Sequence, residues 1–499
     1  MHYPAAFTLI PGARPGSIRA LPGEEGYRVT TTSQDAIDAR SIDRLLLVVG
    51  VLLVGVVAIM YIGLIRLPGW WMFPVDMTVY RDAGEIVRQV PPTFDPRLAS
   101  PLYDWPGPPG LIGLVFTYPP FSAMIFAPLS YLSLNTLARL AAVADVLALV
   151  AVIWIAFGSL GYRAGVRRAS LTLLAASAVF YTEPVERVIY LGQIDLLLAA
   201  LVVWDLCQPE NRWWQGIGVG LAAGIKLVPL IFIPYLLITR RHRQAAVATA
   251  TFGLTVAAGF AVLPKDSATF WLHGLFLQGS RVGSVDWSGN QSLLAVLTRL
   301  GGGANVGHVW LVAAIITVAL GLTAAAILHR AGHQMLGLLT CALTGLLVSP
   351  ISWDHHWVWI VLALPVLVCY GIRLTGLARW ACFGLAAVVT AIFGAWPTVL
   401  WGETSDQNGW SRGVIWAPPN SGNDEYGWHG WQLIAGNAYV LTGLAMFIAL
   451  LAMAGWQIVR RHARQPGPGI SGRGNSRESY RAVMRSLSNA RSVTVVARR

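Results

Sequence analysis

Asp76 follows an apolar and aromatic run, Trp70-Trp71-Met72-Phe73-Pro74-Val75, and precedes Met77-Thr78-Val79-Tyr80-Arg81-Asp82. Indole side chains gather where a membrane meets water, so this carboxylate belongs at a membrane surface among rings that strip it of water. Desolvation raises a carboxylate's pKa and makes it a better proton acceptor near neutral pH. The same aspartate also suits the N-cap of a short amphipathic helix running to about Val90. Both readings, base and cap, stand on the residues alone.

Three other groupings carry chemistry. Ser349-Pro350-Ile351-Ser352-Trp353-Asp354-His355-His356-Trp357 sits at an expected helix start, where backbone N–H groups draw anions and imidazoles beside them can donate to a phosphate. Trp353 and Trp357 equally suit an aromatic belt with the histidines at headgroup level. Adjacent histidines point about 100° apart on a helix and no third ligand is spaced nearby, so no metal site is expected. Lys226 lies in the middle of the apolar run 216–238, and a lysine at membrane depth normally faces a polar cavity or an anion. Asn290-Gln291-Ser292 matches a glycosylation sequon, while its amides also suit sugar hydroxyls; Gln193 and Asp195 put an amide and a carboxylate at a helix end, where Asp195 reads best as a cap.

The elements that position these residues are membrane helices. Of 499 residues 55% are hydrophobic and only 12% charged, with a mean hydropathy of +0.57, which excludes an ordinary soluble domain. Cys207, Cys341, Cys369 and Cys382 show no paired spacing, so neither a disulfide framework nor a metal site is indicated. The net charge of +12 is concentrated in the tail, where ten arginines from Arg460 onward oppose Glu478 alone, a distribution suited to anionic lipid on the cytoplasmic side rather than to nucleic acid. No Walker motif, dinucleotide glycine pattern or Ser-His-Asp signature appears.

Residues 1–43 are polar and read as a mobile cytoplasmic extension, with 44–459 polytopic and 460–499 a basic cytoplasmic tail. Spans are expected at 44–65, 136–160, 169–182, 194–206, 245–263, 308–328, 335–348, 357–370, 380–400 and 435–459. The run 216–238 satisfies the positive-inside rule as a hairpin of two short helices turning near Lys226, which gives about 12 helices with both termini inside. The proline-broken run after Tyr118-Pro119-Pro120-Phe121 reads as re-entrant or interfacial. Four segments then face outward: the Asp76 loop, 264–307, 349–356 and 401–434. Chemistry there, away from nucleotide sugars, requires a donor carried in lipid.

In this order, Asp76-Met77-Thr78-Val79-Tyr80, Tyr118-Pro119-Pro120-Phe121, Gly192-Gln193-Ile194-Asp195, Gly220-Leu221-Ala222-Ala223-Gly224-Ile225-Lys226, Asn290-Gln291-Ser292 and the 349–356 segment resemble the polytopic actinobacterial glycosyltransferases of family 87. The resemblance implies an all-α polytopic membrane protein of the type C glycosyltransferase fold. It implies transfer of an α-1,2-linked mannose from polyprenyl-phosphate mannose to a phosphatidylinositol mannoside, lipomannan or lipoarabinomannan precursor. In such families the first outer loop carries the catalytic aspartate, here Asp76. Asp195 departs from the family pattern, which has Asn there.

Phosphate leaves without a general acid, so an inverting transfer needs one base and cations to hold the phosphate. On this reading Asp76 is the base, and His355, His356 and Lys226 bind the donor phosphate. Tyr80, one turn beyond Asp76 on the same face, contacts the acceptor sugar together with Arg81, Gln193, Asn290 and Gln291. No cofactor or metal is expected; the partners are the lipid-linked donor, a glycolipid acceptor and membrane lipids, with no nucleic acid. The rival readings are an arabinofuranosyltransferase using polyprenyl-phosphate arabinose and a lipid-linked sugar flippase or transporter.

Overall fold

Every regular element among the described residues is a helix. The structure, a computed structural model, describes residues 33–64, 74–93, 100–107, 113–209, 212–396 and 413–464. The aromatic run 70–73, the first part of the expected 401–434 segment and nearly all of the basic tail lie outside the described residues.

The first half of the chain forms α1 (Ser33–Leu64), α2 (Val75–Thr93), the short α3 (Pro101–Asp104) and α4 (Pro120–Phe126), α5 (Leu134–Ser159), α6 (Val166–Phe180), α7 (Glu183–Leu191), α8 (Asp195–Leu206), α9 (Ile217–Ile225) and α10 (Phe232–Ile238). The second half forms α11 (His242–Val262), the short α12 (Pro264–Ser267), α13 (Leu293–Leu300), α14 (Gly307–Arg330), α15 (Gln334–Val348), α16 (Ile360–Arg373), α17 (Gly376–Phe393), the short α18 (Trp431–Gly436) and α19 (Ala438–Arg464). Among the described residues six helices are long and apolar enough to cross a membrane: α5, α11, α14, the stretch Asp354–Arg373 that includes α16, α17 and α19; the bent pair α7–α8 makes a seventh. Val309, Val312, Ile315 and Ile316 of α14 stand exposed, as a helix apolar on all sides requires when it faces lipid. The first helix begins at Ser33, well ahead of the expected Arg44, and the last runs past the expected residue 459 to Arg464.

The helix links sort into two ends. At one, Arg241 reaches the Leu206 carbonyl at 3.4 Å, Arg243 the Arg212 carbonyl at 2.9 Å, Gln334 the Leu206 carbonyl at 2.9 Å, and Gln457 pairs with His333 at 3.2 Å. Arg330 donates to the Ile238 carbonyl and Arg373 to that of Leu160. This arginine-rich end gathers the links α5–α6, α8–α9, α10–α11, α14–α15 and α16–α17, the grouping expected from arginine placement. The opposite end carries Asp76.

Between α8 and α11 the chain reverses within the membrane-length layer. Asp205, near the arginine-rich end of α8, accepts from the N–H groups of Gly216 at 2.8 Å and Val219 at 2.9 Å and so caps α9 from outside its own sequence. The far end of α9 meets the start of α8, where Lys226 reaches Asp195. The following helix, α10, then returns to Ile238 beside Arg330. The run 216–238 is therefore a hairpin turning at Lys226, as its flanking charges predict. Close packing of α9 on α11 depends on glycine: a Cβ at Gly220 would stand 2.4 Å from the Ala248 carbonyl oxygen.

Two further glycines set the other end. Gly192 closes α7 in the left-handed region, φ 70°, and α8 departs at 116° to α7. A Cβ there would fall 2.6 Å from the Met77 Cβ, so the missing side chain lets α2 lie against the bend. Gly84 lets the other side of α2 meet the Phe126 carbonyl, where an added Cβ would stand at 2.4 Å. The proline-broken run after Tyr118 forms α4 and a 3-10 turn, Ala127–Tyr131, beneath α2.

Removing the cap tests the hairpin. Asp205→Ala is expected to lower the melting temperature of the detergent-solubilised protein, a lost cap costing about 0.5–2 kcal/mol, with Asp205→Asn retaining part of it; size-exclusion chromatography after heating reads the outcome.

Candidate active site

A cavity of about 710 Å³ opens at the Asp76 end, and Asp76, Arg187, Gln193, Lys226, His355 and His356 stand in its wall with Tyr118 and Asp354. Six chain segments deliver them, Tyr118 coming from the stretch before α4. Asp76 lies in the first turn of α2, whose helix starts at Val75, so it is a first-turn acid and not the N-cap. Gln193 follows the Gly192 bend, Lys226 is the hairpin tip, Arg187 comes from α7, and Asp354, His355 and His356 form a 3-10 turn, Asp354–Trp359, that leads into α16.

The Lys226 ammonium is buried and touches Asp195 Oδ1 at 2.8 Å and His356 Nε2 at 2.9 Å. An ammonium has only protons to offer, so His356 Nε2 accepts and its Nδ1 carries the ring proton. That Nδ1–H is buried and has no partner among the described residues. His355 is held the other way round. Its Nδ1 faces Asp354 Oδ1 at 3.1 Å, and its Nε2 stands 4.0 Å from Asp195 Oδ2 with no hydrogen-bond partner among the described residues. Asp354 is fixed in turn by the His355 backbone N–H at 2.8 Å and by Arg187 Nε at 3.1 Å. Arg187 also lies 3.8 Å from Glu183.

Burial raises the Asp76 carboxyl above its ordinary range; His355, a Gln193 side-chain hydrogen bond and Lys226 pull it back, and Asp195 pushes it up. This is the environment of a carboxylate able to take a proton. Its neighbour Gln193 is itself held, accepting from Tyr80 Oη at 2.7 Å and Tyr118 Oη at 3.3 Å. Tyr80 is buried, stacks on Phe126 and stands behind Gln193, outside the cavity wall where an acceptor contact was expected. Arg81 turns away, donating to the Leu132 carbonyl at 3.0 Å, and is likewise absent from the cavity wall.

Asn290 and Gln291 require the same correction. Both are fully buried. Asn290 donates to the carbonyls of Val285 and Pro350 and accepts from the Ser352 N–H; Gln291 donates to the carbonyls of Ser288 and Gly436 and accepts from the Val440 N–H. Their amides are spent on backbone, fastening the 287–292 loop to the segment that carries the histidines, and neither meets the cavity. Sequence reasoning missed Arg187, Tyr118 and Asp354 as site residues. Arg187 carried a signal, an arginine at the end opposite the other arginine clusters; Asp354 was visible beside the histidines but had no assigned partner.

Among the described residues Asp195, His355 and His356 bring ligand atoms within 4.8 Å of one another. Lys226 already stands against two of the three, so a cation occupies that position without an ion.

Two measurements separate these roles. Gln291→Ala is expected to lower thermal stability, each buried backbone group left unpaired costing about 1–3 kcal/mol, without changing substrate KM in the folded protein. Gln193→Ala removes a bond that favours ionised Asp76, so the acid limb of the kcat/KM profile is expected to move to higher pH.

The profile of glycosyltransferase family 87 matches residues 116–350, a stretch that holds Gln193, Asp195 and Lys226 but not Asp76 or the histidine pair. The chain is 32% identical over 289 residues to the polyprenol-phosphate-mannose-dependent alpha-(1-2)-phosphatidylinositol mannoside mannosyltransferase of Mycobacterium tuberculosis, covering 56% of this chain and 67% of that protein. To the protein of the same name from Mycolicibacterium smegmatis it is 34% identical over 322 residues, 61% of this chain and 71% of that one. To the polyprenol-phosphate-mannose-dependent alpha-(1-2)-phosphatidylinositol pentamannoside mannosyltransferase of Mycolicibacterium smegmatis it is 31% identical over 334 residues, 65% and 78%. No solved structure matches the chain. A match that spans most of the length of such relatives, on top of the profile match, settles the family: the chain belongs to glycosyltransferase family 87.

Proposed function

We propose that this protein transfers mannose from polyprenyl-phosphate mannose to a lipid-anchored mannoside, forming an α-1,2 linkage with inversion, in the synthesis of phosphatidylinositol mannosides and the lipomannan and lipoarabinomannan built on them. The observation that carries the reading is a carboxylate raised by burial in one wall of a cavity that also holds a buried ammonium and a partnerless imidazole N–H. The functions of the relatives support it.

The acceptor hydroxyl attacks the anomeric carbon and gives its proton to Asp76. The bond from that carbon to the donor phosphate oxygen breaks with its electron pair on oxygen. Lys226 and His356 Nδ1–H stabilise the phosphate charge, and His355, oriented by Asp354, faces the same space. A fixed cation at a developing anion, in a site with little water, lowers the barrier without reorganisation. The transfer uses no metal, because Lys226 supplies the positive charge that an ion would bring.

The fold we assign is the type C glycosyltransferase architecture with 12 helices, counting α1, α5, α6, the bent α7–α8 pair, both hairpin arms, α11, α14, α15, the Asp354–Arg373 stretch, α17 and α19. The positive-inside rule puts the arginine-rich end in the cytoplasm, with both termini, and opens the cavity to the outer face of the plasma membrane. The polytopic unit spans 44–459, flanked by the N-terminal extension and the basic tail.

Mass spectrometry of products from purified protein, polyprenyl-phosphate mannose and a mannosylated phosphatidylinositol tests the reading. Wild type is expected to add one hexose, and Asp76→Asn to be slower by about 10²–10⁴-fold, the range for loss of a general base. A pentose added only from polyprenyl-phosphate arabinose would replace mannose by arabinose as the donor sugar; no addition from either would favour transport.

A further inference from the structure

Arg281 also stands in the cavity wall, and Tyr103 separates it from Tyr118, the ring that Lys226 overlies. Arg281 donates to the Tyr103 carbonyl oxygen and lies over the Tyr103 ring, 5.8 Å from its centre. Tyr103 is itself held, donating through its hydroxyl to the Tyr118 carbonyl at 2.8 Å and stacking on Phe270. The guanidinium is therefore pinned, yet its Nε is buried with no hydrogen-bond partner among the described residues. Asp104, the carboxylate within electrostatic range, is exposed and accepts from the Ser100 N–H at 2.8 Å.

Apolar side chains share that wall. Leu277 is 75% exposed, Phe276, Val282 and Leu114 are exposed as well, and the neighbouring Leu272 is 73% exposed. Large apolar side chains on a short irregular segment at the end of a membrane bundle enter the headgroup and acyl boundary of the leaflet. A cation beside such side chains stands at phosphate level.

We propose that Arg281 binds the phosphodiester of the acceptor lipid as that lipid enters the cavity from the leaflet. The assignment rests on the mannosyltransferase reading, and it follows from the two phosphates such a reaction brings together. The donor phosphate is bonded to the reacting carbon, so it must lie across that carbon from Asp76, within reach of Lys226 and His356. The acceptor phosphate is separated from the reacting hydroxyl by inositol and sugar, so it needs a second cation set back from the first. A guanidinium, with planar paired donors, suits a phosphodiester.

The test compares two acceptors with the full-length protein in detergent: a phosphatidylinositol mannoside and octyl α-mannoside, which has no phosphate. Arg281→Gln is expected to raise KM for the phosphatidylinositol mannoside about tenfold, as loss of a charged hydrogen bond does, while KM for the donor and turnover of octyl mannoside stay at the wild-type values. Arg281→Lys is expected to recover part of the loss. Equal loss with both acceptors, a change in donor KM, or no change with the phosphorylated acceptor overturns the assignment. Wild-type protein that mannosylates neither acceptor overturns the underlying reading, and the assignment with it.

Discussion

A single buried ammonium holds the site together. Lys226 has left water at the tip of a hairpin, and a buried cation is tolerated only where its charge and its donors are matched. Asp195 supplies the charge at 2.8 Å and His356 a lone pair at 2.9 Å. One nitrogen therefore joins the hairpin tip, the first residue of α8 and the turn that leads into α16. Removing it would strand a carboxylate and free an imidazole, and it would leave the hairpin tip unfastened. The same contact sets the tautomer of His356, so which ring nitrogen keeps its proton is decided by a residue distant in sequence.

Around that atom the polar residues of this end divide into two sets. One set is spent on architecture. Arg299 is buried, with Asn437 Oδ1 at 2.6 Å from one guanidinium nitrogen and the carbonyls of Asp286, Trp287 and Asn290 about another, while Ser288 takes Glu425 through its backbone N–H. Burial brings Arg299 down to about 10, against the pull of the Glu425 and Asp286 carboxylates, which raise it. The other set, from Asp76 to His356, keeps atoms without protein partners. Unsatisfied buried atoms are rare in folded proteins, and here His355 Nε2, His356 Nδ1 and Asp195 Oδ2 have no hydrogen-bond partner among the described residues, the first and last of them 4.0 Å apart.

Much of this was legible in the sequence because membrane physics leaves few options. Arginine placement located the helix links, and the conflict between a single span at 216–238 and its flanking charges revealed the hairpin. Asp76, Lys226, His355 and His356 stood out as charged or titratable groups where apolar surroundings make them costly. Asn290, Gln291 and Arg81 misled because an outward polar side chain looks the same in sequence whether it faces a ligand or a backbone carbonyl. Only the fold reveals that Gly289, Asn290 and Gln291 are zipped to Ser352 and Asp354. Tyr80 shared the face of Asp76 as helical spacing requires, but one turn along that face it meets Gln193 and Phe126 and not the cavity. Arg187 and Asp354 escaped because a partnership across 167 positions leaves no local pattern.

The length of α8 has one more meaning. Its 12 residues rise only about 18 Å from the arginine-rich end, and a hydrocarbon layer is about 30 Å thick. With the arginine-rich end at one membrane surface, as proposed, Asp195 and Lys226 would lie short of the opposite one, at a depth where the surrounding lipid is oil. A lipid-borne phosphate need not climb out of the leaflet to meet them. Hydrophilic sugars make the descent instead, and the protein must replace their water on the way down with its own polar groups.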